Sequence, residues 1–227
     1  MSRAPADPPW PDLDSRRAGF ERMYRSQPDR FGGPPSRFCE WALPLLAEFA
    51  PTGHLLELGC GRGRDARRLA QAGYRVRATD YARPAIDRAR ADPDNPPTLE
   101  FEAIDAASAL RSEPTGALDV VYAHALYMML SVREFETVVG EIHRVLRPGG
   151  LHLYAVRSVT DPMASEGEEV APEVRRRTDG TGGPPATAPY RYFRRESIDR
   201  LTAQGFERVR SEFRPDLHFW FVADRRP

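Results

Sequence analysis

The segment LLELGCGRGRD, residues 55–65, places three glycines at alternate positions directly after an apolar run. Glycine has no Cβ, so a turn built from it lets a ligand lie against bare backbone. If a helix follows the turn, its first N–H groups have no partner within the helix and face the same ligand. The segment therefore predicts a ligand site where a buried strand meets the start of a helix.

Segments of strand-like and helix-like spacing alternate on both sides of this loop. The strand before it is predicted at 54–58, and the helix after it over about 65–72. The other predicted strands of this part are 74–80, 98–105, 118–125 and 151–158, and the other predicted helices are 83–91 and about 135–146. Such alternation is typical of βαβ units and a mainly parallel sheet.

The end of the chain follows a different order. A helix is predicted near 193–206, and two strands follow it at 206–214 and 217–225. Because only a short link joins these two strands, we expect them to pair antiparallel.

Proline and glycine divide the chain into regions. Residues 1–50 predict a Pro-rich tail and a helical cap, with helices near 14–26 and after Ser36, and residues 51–227 predict the main domain. Within that domain, residues 158–189 hold five prolines and interrupt the alternation. A stretch of this length without a periodic pattern indicates an insert or a lid.

Composition narrows the class of protein. The chain has 33 basic residues, all of them Arg, and 33 acidic residues, so it carries no excess of positive charge for nucleic acid or an anionic membrane. No apolar run approaches the ~18 to 20 residues of a membrane span, and the N-terminus lacks the apolar region of a signal peptide. Two cysteines, Cys39 and Cys60, indicate a reducing compartment. We therefore predict a cytoplasmic protein without nucleic-acid or membrane partners.

The glycine spacing distinguishes between possible ligands. A dinucleotide-binding loop, G-x-G-x-x-G, would need glycine at position 64, where Arg64 stands. A phosphate-binding loop would need G-K-[ST], and the chain contains no Lys. The observed spacing is instead G-x-G-x-G, with glycines at 59, 61 and 63.

This loop resembles that of the class I S-adenosylmethionine-dependent methyltransferases. Three further motifs follow in the family's order: RATD at the end of the second strand, EAID at the end of the third, and EIHRVLRPGGLHLY. The resemblance covers roughly residues 50–157, and the closing pair of strands fits the family's reversed last strand. It implies an α/β, Rossmann-like, doubly wound sheet of seven strands that is mixed because the last strand is antiparallel.

The resemblance also implies a cofactor and the residues that hold it. The cofactor is S-adenosylmethionine, and the product is S-adenosylhomocysteine. Asp80, 21 residues after Gly59, takes the place of the acid that accepts the ribose hydroxyls, Asp105 that of the group near the adenine amine, and Glu57 that of the acid near the loop. The full set of cofactor-binding residues implied is Glu57, Gly59, Cys60, Gly61, Asp80, Tyr81, Asp105, Ala106 and Ala123. For each strand-end Asp, a simple helix cap is the alternative.

The acceptor is expected above the end of the fourth strand. This places the candidate catalytic residues His124 and Tyr127 near the transferred methyl, with His124 either a general base or only part of the pocket wall. Aromatic residues of the N-terminal region and of the insert are candidates for the substrate pocket, with core packing as the alternative: Tyr24, Phe31, Tyr190 and Tyr192. The remaining His and Cys residues lack metal-ligand spacing, so no metal is expected.

The predicted function is transfer of a methyl group to a small-molecule acceptor by direct displacement. The near-zero net charge and the short chain favour a small acceptor over a macromolecule. Two alternatives remain: a protein or RNA methyltransferase, and a relative that binds the cofactor without catalysis. Either a monomer or a homodimer is compatible with the sequence.

Overall fold

The computed structural model describes residues 10–176, 189–202 and 205–227. Two helices come first, α1 (Leu13–Ser26) and α2 (Arg37–Phe49). Alternating elements follow: β1 (His54–Leu58), α3 (Arg64–Gln71), β2 (Arg75–Asp80), α4 (Arg83–Arg90), β3 (Leu99–Ala103), α5 (Ala106–Ser112), β4 (Leu118–His124), α6 (Val132–Val145) and β5 (Leu146–Arg157). The remaining elements are β6 (Glu168–Ala171), β7 (Val174–Arg176), β8 (Pro189–Arg191), α7 (Arg195–Thr202), β9 (Glu207–Arg214) and β10 (Phe219–Arg225).

Seven strands form the main sheet in the order β3-β2-β1-β4-β5-β10-β9. The first five strands of the chain run parallel, and β10 pairs antiparallel with both β5 and β9. The predicted mixed sheet with a reversed last strand is therefore confirmed. From β1 the chain first builds outward through β2 and β3 and then returns to place β4 on the other side. The connections thus diverge between β1 and β4, which opens a crevice at the carboxyl ends of these strands.

Helices cover both faces of the sheet. On one face, apolar side chains of α2, α3 and α4 pack on the sheet, and on the other face those of α5, α6 and α7 do so. Helix α2 begins at Ser36, whose hydroxyl accepts a hydrogen bond from the N–H of Cys39 at 3.0 Å. Its Phe38 stacks on Tyr122 of β4 with ring centroids 4.9 Å apart. Helix α2 is therefore part of the main core.

Helix α1 lies outside this core and has the position of a cap. Its Phe20, Met23 and Tyr24 pack with Ala82 and Ala85 at the start of α4. The guanidinium of the buried Arg16 also donates a hydrogen bond to the carbonyl of Met129, which precedes α6, at 2.7 Å. These contacts hold α1 across the carboxyl ends of the strands, from α4 to α6.

The stretch expected as an insert is partly regular in structure. Its described residues form a small antiparallel sheet, β6-β7-β8, which is separate from the main sheet. Arg175 of β7 donates a hydrogen bond to the carbonyl of Ala164 at 2.8 Å and pairs with Glu169 at 2.8 Å. Residues 177–188 lie outside the described residues. A membrane-crossing helix, long and apolar, is absent from the described part of the chain.

Candidate functional site

A cavity of about 680 Å³ lies at the carboxyl ends of the central strands. It reaches from the segment after β3, across the ends of β2, β1 and β4, to Phe219 of β10. Helix α1 and strand β8 contribute side chains to its cover. Its volume lies within the range of about 300 to 1,000 Å³ that is usual for small-molecule sites. We call its two halves the β1–β3 end and the β4–β10 end.

The glycine loop forms the floor of the β1–β3 end. Gly59, Gly61 and Gly63 all have positive φ, at 72°, 55° and 73°. A Cβ on Gly61 would lie 2.8 Å from the hydroxyl oxygen of Tyr24, and one on Gly63 would lie 2.3 Å from Cε1 of Phe101. The loop therefore needs glycine both for its backbone conformation and for the closeness of its neighbours.

Asp80 ends β2 beside this loop. Its Oδ2 accepts a hydrogen bond from the N–H of Gly61 at 2.9 Å, and its Oδ1 accepts one from the N–H of Ala82 at 2.8 Å. Burial raises the pKa of Asp80 to about 6, although both backbone bonds act in the opposite direction. Asp80 lines the cavity, and each carboxylate oxygen has a second lone pair for a ligand hydroxyl.

Glu57 is the second buried carboxyl group of the β1–β3 end. Only 3% of the residue is exposed, and its Oε2 has no hydrogen-bond partner among the described residues. Burial, and then the negative charge of Asp65, raise its pKa well above the ordinary value. A buried acceptor of this kind at a cavity wall suits a ligand that brings a donor or a positive charge.

The segment after β3 closes the far side of the same end. Tyr81, Asp105 and Ala106 all line the cavity, as does Cys60 of the glycine loop. Asp105 also caps α5, since its Oδ1 accepts a hydrogen bond from the N–H of Ser108 at 3.0 Å. Asp105 thus both caps α5 and lines the cavity.

Two predicted site residues do not reach the cavity. Ala123 is buried within β4 and packs in the core on the side of α5 and α6. Tyr127 is 1% exposed, and its hydroxyl lies 2.6 Å from Nε2 of His152, in the core. Ala123 lies on the side of α5 and α6 because side chains alternate along β4. In the turn after β4, where Ala125 has a φ of 60°, Tyr127 packs inward, while His124 and the next two residues line the cavity.

His124 lines the cavity at the end of β4, where its ring lies between Phe38 and Phe219 at centroid distances of 5.7 and 5.9 Å. Its Nδ1 lies 3.4 Å from Oδ2 of Asp65. Sequence reasoning overlooked Asp65, although it ends the quoted LLELGCGRGRD segment and stands in the first turn of α3. Its position two residues after the third glycine was the available signal.

The four aromatic candidates all line the cavity, at different places. Tyr24 and Phe31 lie above the glycine loop with ring centroids 6.3 Å apart, and Phe31 has a φ of 57° and remains 47% exposed. Tyr190 and Tyr192 lie together on the insert side, with centroids 5.3 Å apart.

Comparisons with known proteins agree with this geometry. A methyltransferase-domain family matches residues 55–150. Nodulation protein S of Rhizobium tropici is 32% identical over 130 residues, which are 56% of this chain and 54% of that protein. The tRNA N(3)-methylcytidine methyltransferase of Schizosaccharomyces pombe is 27% identical over 149 residues, which are 61% of this chain and 48% of that protein. The chain thus spans about half the length of these curated relatives.

Among solved structures, the 1,6-didemethyltoxoflavin-N1-methyltransferase of Burkholderia thailandensis, with bound 1,6-didemethyltoxoflavin and S-adenosylhomocysteine, has a similar fold. The TM-score is 0.71 at 21% identity, and the alignment covers 98% of this chain and 94% of that one. Residues 55–150 thus match a methyltransferase domain, and the chain has the fold of the class I S-adenosylmethionine-dependent methyltransferases.

Proposed function

We propose that the chain binds S-adenosylmethionine at the β1–β3 end of the cavity and transfers its methyl group to a small-molecule acceptor at the β4–β10 end. The observation that carries this proposal is the pair of buried carboxyl groups, Glu57 and Asp80, on either side of a glycine loop in the left-handed conformation. Glu57 offers an acceptor for the cofactor's amino group, and Asp80 offers acceptors for its two ribose hydroxyls. Hydrogen bonds to a charged acceptor contribute roughly 1.5 to 3 kcal/mol each.

The remaining predicted residues fit the same placement of the cofactor. The bare backbone of Gly59 and Gly61 makes room for the methionine portion. Asp105 keeps one carboxylate oxygen free of the α5 cap for the adenine amine, and Tyr81 and Ala106 border the ring.

The reaction itself needs little chemistry from the protein. A lone pair of the acceptor forms the bond to the methyl carbon while the sulfur–methyl bond breaks and its electron pair stays on sulfur. Alignment of the acceptor with the methyl group can contribute about 7 to 11 kcal/mol. The chain's part is to hold the two reactants in line across the end of β4.

The cover of the cavity supports a small acceptor rather than a macromolecule. Helix α1 and strand β8 close the cavity from above, and the chain has a formal net charge of zero. The toxoflavin enzyme, which shares this fold, holds a small heterocycle. Because one of the relatives is a tRNA methyltransferase, RNA is the second candidate acceptor, and only sequence similarity supports it.

Two measurements test the proposal. Calorimetry should show binding of S-adenosylmethionine and S-adenosylhomocysteine by the wild type and by Asp87→Ala, an exposed change on α4, and much weaker binding by Asp80→Ala. Incubation with methyl-labelled cofactor and a size-fractionated cell extract should then place label in the small-molecule fraction. Label in RNA or protein would overturn the acceptor class, and absence of cofactor binding would overturn the proposal as a whole.

A further inference from the structure

The carboxylate of Asp65 is the centre of a hydrogen-bond network behind the cavity wall. It is 2% exposed. It accepts hydrogen bonds from the N–H of Ser36 at 2.7 Å, from the Ser36 hydroxyl at 2.6 Å and from the Tyr122 hydroxyl at 2.8 Å. These donors come from the start of α2 and from β4, so two separate elements hold the carboxylate in place.

This network keeps Asp65 ionised. Burial alone would raise its pKa, but hydrogen bonds from His124 and Ser36 outweigh burial and hold the pKa of Asp65 well below its usual range. An ionised carboxylate with so little exposure is one fixed negative charge beside the cavity. A helix cap alone would not need it here, because α3 begins at a left-handed glycine and has no side-chain cap.

The charge of Asp65 faces one ring nitrogen of His124. The distance from Nδ1 of His124 to Oδ2 of Asp65 is 3.4 Å, and the aromatic rings of Phe38 and Phe219 flank the imidazole. A carboxylate at Nδ1 favours the tautomer that carries its proton there. Nε2 then keeps its lone pair, and His124 is among the residues that line the cavity.

We propose that Asp65 is a positioning residue that holds His124 with Nε2 as a proton acceptor, and that the acceptor substrate is an aromatic compound whose reacting atom carries a proton, a phenolic hydroxyl or a ring N–H. The proposal rests on the function proposed above. As the acceptor's oxygen or nitrogen forms its bond to the methyl carbon, its proton moves to Nε2 of His124. The imidazolium that results lies beside the Asp65 carboxylate and later returns the proton to solvent.

The need for a base limits the class of acceptor. A phenol such as the tyrosine side chain has a pKa of about 10, so at neutral pH it enters the site protonated and loses its proton during methylation. A carboxylate acceptor enters without a proton and has no use for His124. The aromatic walls of the β4–β10 end, Phe219, Tyr190 and Tyr192, suit a flat ring.

Other charged groups line the same cavity. Arg64 of α3 lies 3.9 Å from Oδ1 of Asp65, and Arg157 of β5 lies over the Phe219 ring at 5.2 Å. Both positive charges oppose an imidazolium, whereas Asp65 and the Glu57 carboxyl group favour one when ionised. Because Asp65 contacts the His124 ring and is ionised across the neutral range, its removal should have the largest effect on the imidazole.

The first test measures the imidazole directly. In ¹⁵N-labelled full-length protein with S-adenosylhomocysteine, NMR of the His124 ring should show the Nδ1–H tautomer. In Asp65→Asn the amide can donate to Nδ1, so the Nδ1–H tautomer should lose its dominance. Asp87→Asn on the exposed face of α4 is the matched control, and Tyr122→Phe removes a donor to Asp65 while it retains the carboxylate; both should keep the wild-type tautomer. A wild-type Nε2–H tautomer, or a dominant Nδ1–H tautomer in Asp65→Asn, would overturn the positioning role.

The second test uses four acceptor probes at saturating S-adenosylmethionine: phenol, 4-chlorophenol, benzimidazole and benzoate. The proposal expects methylation of one or more of the first three, and none of benzoate. On the best probe, His124→Gln should lower kcat by about a hundredfold or more, and Asp65→Asn by about tenfold with KM little changed. Turnover of benzoate alone, or of none of the probes, overturns the acceptor class. Cofactor binding by both variants keeps such a failure distinct from failure of the proposed function.

Discussion

The two ends of the cavity are built in different ways. The floor and sides of the β1–β3 end come from one stretch of chain, residues 57–106, in which backbone turns and strand ends present the functional groups, and Tyr24 and Phe31 cover it. The β4–β10 end is made of single side chains from distant segments, which include His124, Arg157, Tyr190 and Phe219. A site made by backbone leaves a mark in local sequence, such as glycine spacing, whereas a site made by side chains depends on how the whole domain packs.

We expect the largest effect from a substitution in the glycine loop, where a new side chain would meet the closest neighbours and lower the stability of the fold. In Gly63→Ala the new Cβ would lie 2.3 Å from Cε1 of Phe101 at a φ of 73°, and we expect a loss of about 3 kcal/mol in the free energy of unfolding. Gly73→Ala is the matched control, since Gly73 has a φ of 102° and nothing within 4 Å of the added Cβ. It should lose about 1 kcal/mol. Equal losses in denaturant titrations would show that contact with Phe101 does not constrain the loop.

The next effect concerns cofactor affinity, which should respond to a change at the β1–β3 end but not to one at the β4–β10 end. Asp80→Ala removes the acceptor for the ribose hydroxyls and should weaken S-adenosylmethionine binding by at least about tenfold, or 1.4 kcal/mol. Phe219→Ala, a change at the β4–β10 end, should leave the dissociation constant of the cofactor nearly unchanged. Isothermal titration of both variants checks the pair. Unchanged affinity in Asp80→Ala would contradict the placement of the cofactor.

Prediction from sequence was successful to different degrees at the two ends, for physical reasons. The strand–helix alternation from β1 to β5 was recovered, with the exception of α5, whose sequence AASALRS is short and has little apolar periodicity. The position of Asp80 followed from strand and loop spacing. Ala123 and Tyr127 lie outside the cavity, Ala123 because side chains alternate along β4 and Tyr127 because of the turn after it, and nothing in the local sequence indicates the left-handed Ala125 of that turn.

Asp65 illustrates a different limit of sequence reading. Its partners Ser36 and Tyr122 lie 29 and 57 residues away in the chain, so only the packing of α2 against β4 brings them together. No periodic pattern or motif spacing carries that information.

We expect a smaller effect of pH on the affinity for S-adenosylmethionine. The pKa of Asp80 is about 6 in the free protein because the carboxyl group is buried. Ribose hydroxyls donate to the ionised form, so S-adenosylmethionine binding should weaken as pH falls below about 6, by up to about tenfold per pH unit. The folded free protein should respond in the opposite sense: its Asp80 pKa is raised above the ordinary value, so Asp80 contributes stability at low pH that is lost as pH rises through about 6.

Titration calorimetry at about pH 7.5 and about pH 5 tests this prediction. Proton release on cofactor binding near pH 6, seen as a dependence of the heat on the buffer, should accompany the change. Asp80→Asn cannot ionise and should lose the part of the pH dependence that Asp80 contributes. An affinity that stays constant across this range in the wild type would show that the cofactor does not bond to the Asp80 carboxylate.

The smallest effect concerns Phe31, which was predicted to line the substrate pocket. Its ring lies beside Tyr24, whose hydroxyl oxygen is the atom closest to a Cβ added at Gly61, so in the structure Phe31 covers the β1–β3 end. We expect Phe31→Ala and Phe31→Gly to weaken cofactor binding by the same small factor, about two- to threefold, since a half-exposed ring contributes little. The two variants should differ in stability, because glycine relieves the φ of 57° and alanine does not, by about 1 kcal/mol in favour of glycine. A change in the acceptor's KM with constant cofactor affinity would instead assign Phe31 to the β4–β10 end.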